Sequence, residues 1–269
     1  MHRSLPVVAA AVLSAAVFPL AGCGLPMGPL RAEARDTWTR TYGLSKTGEV
    51  SITNVNGRVE VEGVDGATVE VVAERIAHGA TEALAKELLP RIPINDRSTP
   101  DLVFVETGKI SGILIGASFE VRYHVKVPKA AAVRASTVNG GVGVSMLAGR
   151  TSARSVNGGI DAKDITGGLE ARTVNGGVHV RLTGLGTSDV TLATVNGGVV
   201  VTLPETAKAT MNATWVNGGF TQGGLKFDIR DSGKRHFEGV LNGGGTPINI
   251  TTVNGGVVVN STKDATTSQ

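Results

Sequence analysis

One short phrase, repeated with little change, restricts this chain more than any other feature. It appears as Thr137-Val138-Asn139-Gly140-Gly141-Val142, Ser155-Val156-Asn157-Gly158-Gly159-Ile160 and Thr173-Val174-Asn175-Gly176-Gly177-Val178. It returns at Thr194–Val199, Trp215–Phe220 and Thr252–Val257. Imperfect copies flank the set at Asn54–Val59 and Val240–Gly244. The candidate structural corners are therefore Asn56, Asn139, Asn157, Asn175, Asn196, Asn217, Asn242 and Asn254. From Asn139 to Asn217 the spacings are 18, 18, 21 and 21 residues. A period near 20 is the mark of a repeat architecture, in which one unit alone has no partner for its apolar face.

Aligned on the asparagine, the copies carry apolar residues three and five positions later, as in Val142/Val144, Ile160/Ala162 and Val178/Val180. Six and four positions earlier come pairs such as Val133/Ala135, Leu169/Ala171 and Val190/Leu192, with Arg134, Glu170, Arg172 and His179 among the intervening residues. That alternation predicts two short strands per repeat, each with one buried face. Asn-Gly by itself also suits a two-residue hairpin, which would give an antiparallel sandwich or barrel. An identical corner at every repeat favours stacking instead: an all-β, β-solenoid or parallel β-helix-like pile of short strands. The asparagines are expected to lie one above another, helped by their tolerance of left-handed backbone and by the glycines beside them. The valine preceding each asparagine is out of step with the apolar strand face and is expected to fill the corner.

The composition suits such a fold. The chain of 269 residues has 37 glycines and only 4% aromatic residues, and Val, Thr and Ala dominate, favouring narrow stacked strands over a bulky core. A net charge of +3 is too small and too scattered for a nucleic-acid partner.

Residues 1–22 read as a signal peptide: a weakly positive start, an apolar run from Leu5 to Leu20, then Leu20-Ala21-Gly22-Cys23. The last four residues resemble the bacterial lipobox, which makes Cys23 the expected lipidation site and new N-terminus. Cys23 is the only cysteine, so an internal disulfide is excluded. Residues 23–36 read as a lipidated tether, 37–260 as the repeat domain and 261–269 as a polar tail. The expected location is the cell envelope, with membrane contact through the lipid. Gly24, in place of an aspartate, leans toward an outer membrane.

Between tether and repeats, strands are expected at 49–52, 58–62, 68–73 and within 102–127. Thr81–Leu89 is the one helix, capped by Thr81 and ended by Pro90. Ile110–Ile115 is unusually apolar and reads as a buried edge strand, with a cap or a partner-facing hairpin as the alternatives. Phe227–Phe237 reads as a hairpin-like excursion. Trp215, where other copies have Thr or Ser, is expected to plug the core as the coils become irregular.

The lipobox, the early Asn-Gly-x-Val pair, the short helix, the strand ending Val125-Lys126-Val127-Pro128 and the serial Val-Asn-Gly-Gly together resemble the bacterial putative-adhesin β-strand-repeat family, a domain of unknown function. The resemblance covers about residues 40–260 and implies a β-solenoid-like fold in envelope proteins. It supplies no catalytic residues.

The chain's own residues add none. Asp161 and Asp164 lie close together, and a facing strand could bring Glu170 to them, yet all three occupy the outward polar positions the fold requires. No two histidines stand at metal-ligand spacing, and HExxH, Walker A and GxSxG motifs are absent. No metal, cofactor or catalytic residue is expected. The reading is a non-enzymatic, lipid-anchored envelope protein whose β surface serves adhesion or protein contact. The alternatives are a glycan- or peptidoglycan-binding module and, further off, a carbohydrate-active enzyme.

Overall fold

The computed structural model describes residues 32–110 and 116–262. The chain begins with β1 (Ala32–Gly43), β2 (Glu49–Thr53), β3 (Val59–Val64) and β4 (Thr68–Gly79). Helix α1 (Glu82–Leu88) follows, its first turn closed by the Thr81 hydroxyl, which accepts the Leu84 N–H at 3.2 Å. Next come β5 (Ile94–Thr99), β6 (Leu102–Thr107) and β7 (Ala117–Pro128). The strict repeats supply β8 (Ala132–Asn139) with β9 (Val142–Ser145), β10 (Thr151–Asn157) with β11 (Ile160–Lys163), and β12 (Leu169–Asn175) with β13 (Val178–Arg181). They continue as β14 (Val190–Asn196) with β15 (Val199–Leu203), and β16 (Ala209–Asn217) with β17 (Phe220–Gly223). The hairpin β18 (Phe227–Ser232) and β19 (His236–Leu241) precedes the last pair, β20 (Thr246–Asn254) and β21 (Val257–Ser261).

Every repeat is one coil with a strand in each of two facing sheets, so the fold is β-solenoid-like. Among the described residues the first sheet runs β1-β4-β7-β3-β9-β11-β13-β15-β21-β17, and the second β18-β19-β16-β20-β14-β12-β10-β8-β2-β6-β5. Strands of adjacent repeats pair parallel and in register: Ala153 lies beside Ala171, Ile160 beside Val178, Asn157 beside Asn175. The inward side chains form files one residue wide, among them Val142, Ile160, Val178, Val199 and Val257, all fully buried. Small and β-branched residues are required here because the two sheets approach closely and identical side chains must stack without collision.

The stacking in register is as expected, but the order of the coils in space departs from their order in the sequence near both ends of the stack. In space the coils run β6/β7, β2/β3, β8/β9, β10/β11, β12/β13, β14/β15, β20/β21, β16/β17. The first and last coils of the sequence each sit one place in from an end, held between two neighbours. Antiparallel strands then finish the stack: β4 and β1 on the first sheet and β5 on the second at one end, β19 and β18 on the second sheet at the other. A coil that comes last in the chain but has partners on both sides is protected from the fraying usual at chain ends.

Residues 32–36, expected to be part of the tether, belong to β1. The long edge of β4 offers pairing along the whole of β1, and Arg75 clamps Asp36 through two nitrogens, at 2.7 and 2.5 Å. Strand β21 also extends through Ser261, one residue into the expected tail. The expected signal peptide, the expected lipidation site Cys23 and residues 111–115 of the apolar stretch lie outside the described residues; Ile110 is half-buried against the core.

Candidate functional site along the asparagine corner

At the corner leading from the second sheet to the first, seven asparagines form a continuous file. Each side-chain amide donates to the carbonyl oxygen of the next: Asn139 to Asn56 at 2.8 Å, Asn157 to Asn139 at 2.9 Å, Asn175 to Asn157 at 2.9 Å and Asn196 to Asn175 at 2.8 Å. Asn254 then donates to Asn196 at 2.9 Å, and Asn217 to Asn254 at 2.8 Å. Six of them end extended strands, Asn56 makes an isolated bridge to Asn139, and none adopts left-handed backbone. Asn242 does adopt it, with φ 51°, and stands outside the file: its amide donates to the Glu205 and Ala207 carbonyls and ties down the turn after β19. Its Asn-Gly-Gly context is shared with the corners; its place in the coil is not.

A second ladder, hidden behind the first, was not visible as such in the sequence. The Thr or Ser two residues before each asparagine points inward and donates to the carbonyl of the first glycine in the neighbouring coil. The bonds are Thr137 to Gly57 at 3.0 Å, Ser155 to Gly140 at 2.8 Å, Thr173 to Gly158 at 2.7 Å, Thr194 to Gly176 at 2.8 Å and Thr252 to Gly197 at 3.0 Å. In the first coil Asn54 takes this position, almost fully buried. Its amide donates to the Val121 carbonyl at 2.7 Å and its oxygen accepts from Thr107, which is 2.8 Å from the buried Tyr123 hydroxyl. Burial pushes the Tyr123 phenol up to about 12. A recurrent Thr/Ser at an inward position is the signal that could have revealed this ladder, since a buried hydroxyl needs a partner.

The valine before each asparagine does not fill the corner. It continues the strand alternation on the outer side, because Thr or Ser holds the inward place. Val55, Val138, Val156, Val174, Val195 and Val216 are 37–47% exposed, and Val253 is half-buried in the same file. Beside them the outer face of the second sheet carries Arg134, Arg154, Glu170 and Arg172 on its early coils, then Thr191, Thr251, Asn249, Asn212 and Thr214 on its later ones. Arg154 and Arg172 both bond Glu170, at 2.8 and 2.6 Å, and hold its carboxyl below the usual carboxylate range.

The outer face of the first sheet is charged instead. Gly143 on β9 leaves a trough between Glu60 on β3 and Asp161 on β11, part of a cavity of about 520 Å³. Arg58 lies across it, 2.6 Å from Glu60 and 3.5 Å from Asp161, while His124 approaches Glu60 at 3.0 Å and His179 approaches Asp161 at 3.4 Å. Asp164 pairs with Arg181 at 3.1 Å. Asp161 and Asp164 thus face away from Glu170, which lies on the opposite sheet. Each of these carboxylates meets a cation, and where a carboxyl pKa is displaced (Glu33 by Arg35, Glu82 by Lys86, Glu170 by Arg172) the direction is downward, opposite to what a general acid needs. Among the described residues no group of three His, Cys, Asp or Glu side chains could hold a metal ion.

Trp215 takes the inward place of the hydroxyl in the last coil and is 7% exposed. Phe220 stacks between it and Phe237, with ring centroids 6.2 and 4.0 Å away, and Phe227 meets Phe237 edge-on. The aromatic residues therefore close the interior at the end where the Thr/Ser ladder stops.

The two ladders can be separated experimentally. Thr173→Val should lower stability by about 1–2 kcal/mol, because it leaves an inward carbonyl without its donor. Asn175→Leu removes two exposed side-chain bonds and should cost about 1 kcal/mol. Arg172→Gln, at an exposed ion pair, should stay within roughly 0.5 kcal/mol. Thermal melts of the three variants order them; equal shifts would argue against both ladders.

No curated protein matches the chain. Several solved structures are similar in shape at low identity. A putative cell adhesion protein from Clostridium sporogenes is 10% identical, with 85% of this chain and 100% of that one covered and a TM-score of 0.44. A putative adhesin from Parabacteroides merdae is 10% identical over 83% and 95% of the two chains, with a TM-score of 0.33. A putative lipid binding protein from Parabacteroides distasonis is 10% identical over 84% and 96%, with a TM-score of 0.31. The family itself is decided by sequence: a family model matches residues 43–260, from the last residue of β1 to the penultimate residue of β21, and the chain belongs to the Toastrack family, DUF4097.

Proposed function

We propose that this protein is a lipid-anchored component of the cell envelope that acts by contact through its β surface and not by catalysis. The exposed valine file carries the reading. Seven stacked valines along the outer face of one sheet make an apolar stripe that solvent alone does not reward, rimmed by polar side chains in the manner of a contact surface. The Leu20-Ala21-Gly22-Cys23 signature supports the anchor: acyl chains contribute about 0.8 kcal/mol per buried methylene. The paired carboxylates are consistent with a surface that is held rigid.

Two substitutions test the parts separately. Cys23→Ser should move the protein from the detergent-extracted membrane fraction to the soluble one; unchanged fractionation would remove the anchor. Val156→Asp, Val174→Asp and Val195→Asp combined should abolish attachment of expressing cells to a protein-coated surface while the melting temperature stays within a few degrees. Attachment at the original level would remove the contact surface.

The trough over Gly143 favours a second reading, binding of a linear polar glycan. Its floor of Gly143 and Ser145 is one strand wide and its walls carry Glu60, Glu62, Asp161 and Lys163. Saturable binding to purified cell-wall polysaccharide, lost in Gly143→Trp, would establish it; no binding across a polysaccharide panel would retire it.

A further inference from the structure

Among the described residues four strands end the two sheets: β1 and β17 on the first, β18 and β5 on the second. Three of them are poor templates for another strand. β17 has four residues and ends in glycine, and β18 is bulged between Ile229 and Asp231. β5 has six residues, of which five are Asn, Asp, Arg, Ser or Thr. Short, bulged or polar edges are how sheets avoid pairing with other chains. β1 carries none of these guards. It pairs with β4 over all 12 of its residues without a break, and its run Thr37-Trp38-Thr39-Arg40-Thr41-Tyr42 is rich in strand formers. Among the described residues no strand lies beside its other edge.

The side chains of β1 are partnered on one face and half-partnered on the other. Glu33 and Arg35 bond each other, and Arg35 also reaches Glu74 at 3.0 Å. On the opposite face Arg75 holds Asp36, whose side chain remains 37% exposed. Arg40 lies over the half-buried Trp38 ring, 5.3 Å from its centroid, and has no carboxylate partner among the described residues.

We propose that the β1 edge joins two copies of this chain, antiparallel about a two-fold axis normal to the first sheet, with Trp38 opposite Trp38 of the partner subunit. Such an axis is the one that sets two copies of a strand antiparallel with the same face up, and it always places one residue opposite itself. Four registers of this kind keep nine residues or more paired, centred on Asp36, Thr37, Trp38 and Thr39. The first sets two Asp36 carboxylates together, and the second and fourth match no opposite charges. Centring on Trp38 pairs Glu33–Gly43 and sets Arg40 against Asp36 of the partner subunit, twice by symmetry. An ionised carboxylate accepts more bonds than Arg75 supplies, so Asp36 can take both cations. The two indoles cover what each leaves exposed, and Thr37 meets Thr39 of the partner subunit on the outer face. Cross-strand pairs of these types are what fix a register.

The end of the stack leaves room for this. The first sheet extends past the β6/β7 coil by two strands, β4 and β1, and the second by β5 alone, so the second sheets stop short of the axis. Helix α1 packs where β4 ends at Gly79, beside Ala32, so the two-fold sends the two helices to opposite ends of the ribbon. The pairing does not rest on the valine face. It does keep both second sheets on one side, which turns both valine files the same way.

Analytical ultracentrifugation of the mature chain carrying Cys23→Ser, which removes the only thiol, tests the pairing. The chain should sediment as a dimer. Arg40→Glu, at an exposed position, should raise the dissociation constant about tenfold or more, because it sets two carboxylates together at two places; Arg40→Lys should keep the dimer. Melting temperatures of the variants confirm folding. The register is read by oxidation in the same background: Thr37→Cys mixed with Thr39→Cys should give the mixed disulfide in mass spectra, and neither variant alone should cross-link. A monomer at the highest soluble concentration, or a dimer indifferent to Arg40→Glu, would overturn the proposal. So would homodisulfides of either cysteine variant forming as readily as the mixed one.

Discussion

Gly176→Ala is expected to lower the melting temperature by roughly 6–12 °C, corresponding to about 3 kcal/mol, while Gly177→Ala one residue along leaves it nearly unchanged. The two glycines look equivalent in the sequence, but only the first meets the neighbouring coil. A Cβ on Gly176 would lie 2.5 Å from the Gly158 carbonyl carbon and closer still to its oxygen, the atom that accepts the Thr173 hydroxyl. Neither partner can retreat: the colliding atoms are backbone, and the coil below is fixed by its own contact with Gly140. A Cβ on Gly177 would find its nearest neighbours at 3.4 and 3.5 Å, ordinary contact distances. The first coil already contains this experiment, since Gly57 keeps the first position and Arg58 occupies the second. Thermal unfolding of both variants checks the claim; equal losses would mean that backbone freedom, not close approach, selects the glycines.

A chain ending at Gly245 should fail to reach the native fold, giving an insoluble or molten product where an ordinary solenoid would merely be shortened by one coil. The last coil in sequence lies between β14/β15 and β16/β17, so its loss strips partners from both. It takes with it Ile248, Ile250, Val257 and Val259, each no more than 1% exposed. At about 1.5–3 kcal/mol for each fully buried side chain this removes roughly 6–12 kcal/mol, as much as the whole stability of a typical domain. Size-exclusion chromatography and circular dichroism of the truncated chain read the outcome. A monomeric, cooperatively melting product would show that β16/β17 can dock directly on β14/β15, and the inserted coil would then be ornament.

The out-of-order coils also bear on assembly. A solenoid built in chain order can grow from one end as it is synthesised, whereas here two places must be filled late: the stack above β14/β15 stays incomplete until residues 246–261 arrive. Such long-range pairing slows folding, because loop closure precedes the contacts that reward it. In return the chain's last strands acquire neighbours on both sides, and the two coils that end the stack come from the interior of the sequence.

The repeat alone was enough to determine the architecture. Identical spacing, inward valines and alanines, and one asparagine per unit leave few ways to bury an apolar face except by stacking coils in register, and the helix from Thr81 and the excursion at 227–237 followed from local chemistry. Three features depended on tertiary structure. Which side of the strand a valine faces was set by its neighbour: once a Thr or Ser hydroxyl finds a carbonyl in the adjacent coil, parity sends the valine outward, and that carbonyl is about 15 residues away in sequence. The extent of β1 was set by the length of β4, which no local pattern in residues 32–36 announces. Coil order was hidden for the same reason that the repeat was obvious. Because Asn217 and Asn254 carry nearly the same unit, either could stack on Asn196, and the choice fell to the hairpin between them, whose β19 occupies the far edge of β16 and leaves the place beside β14 to β20.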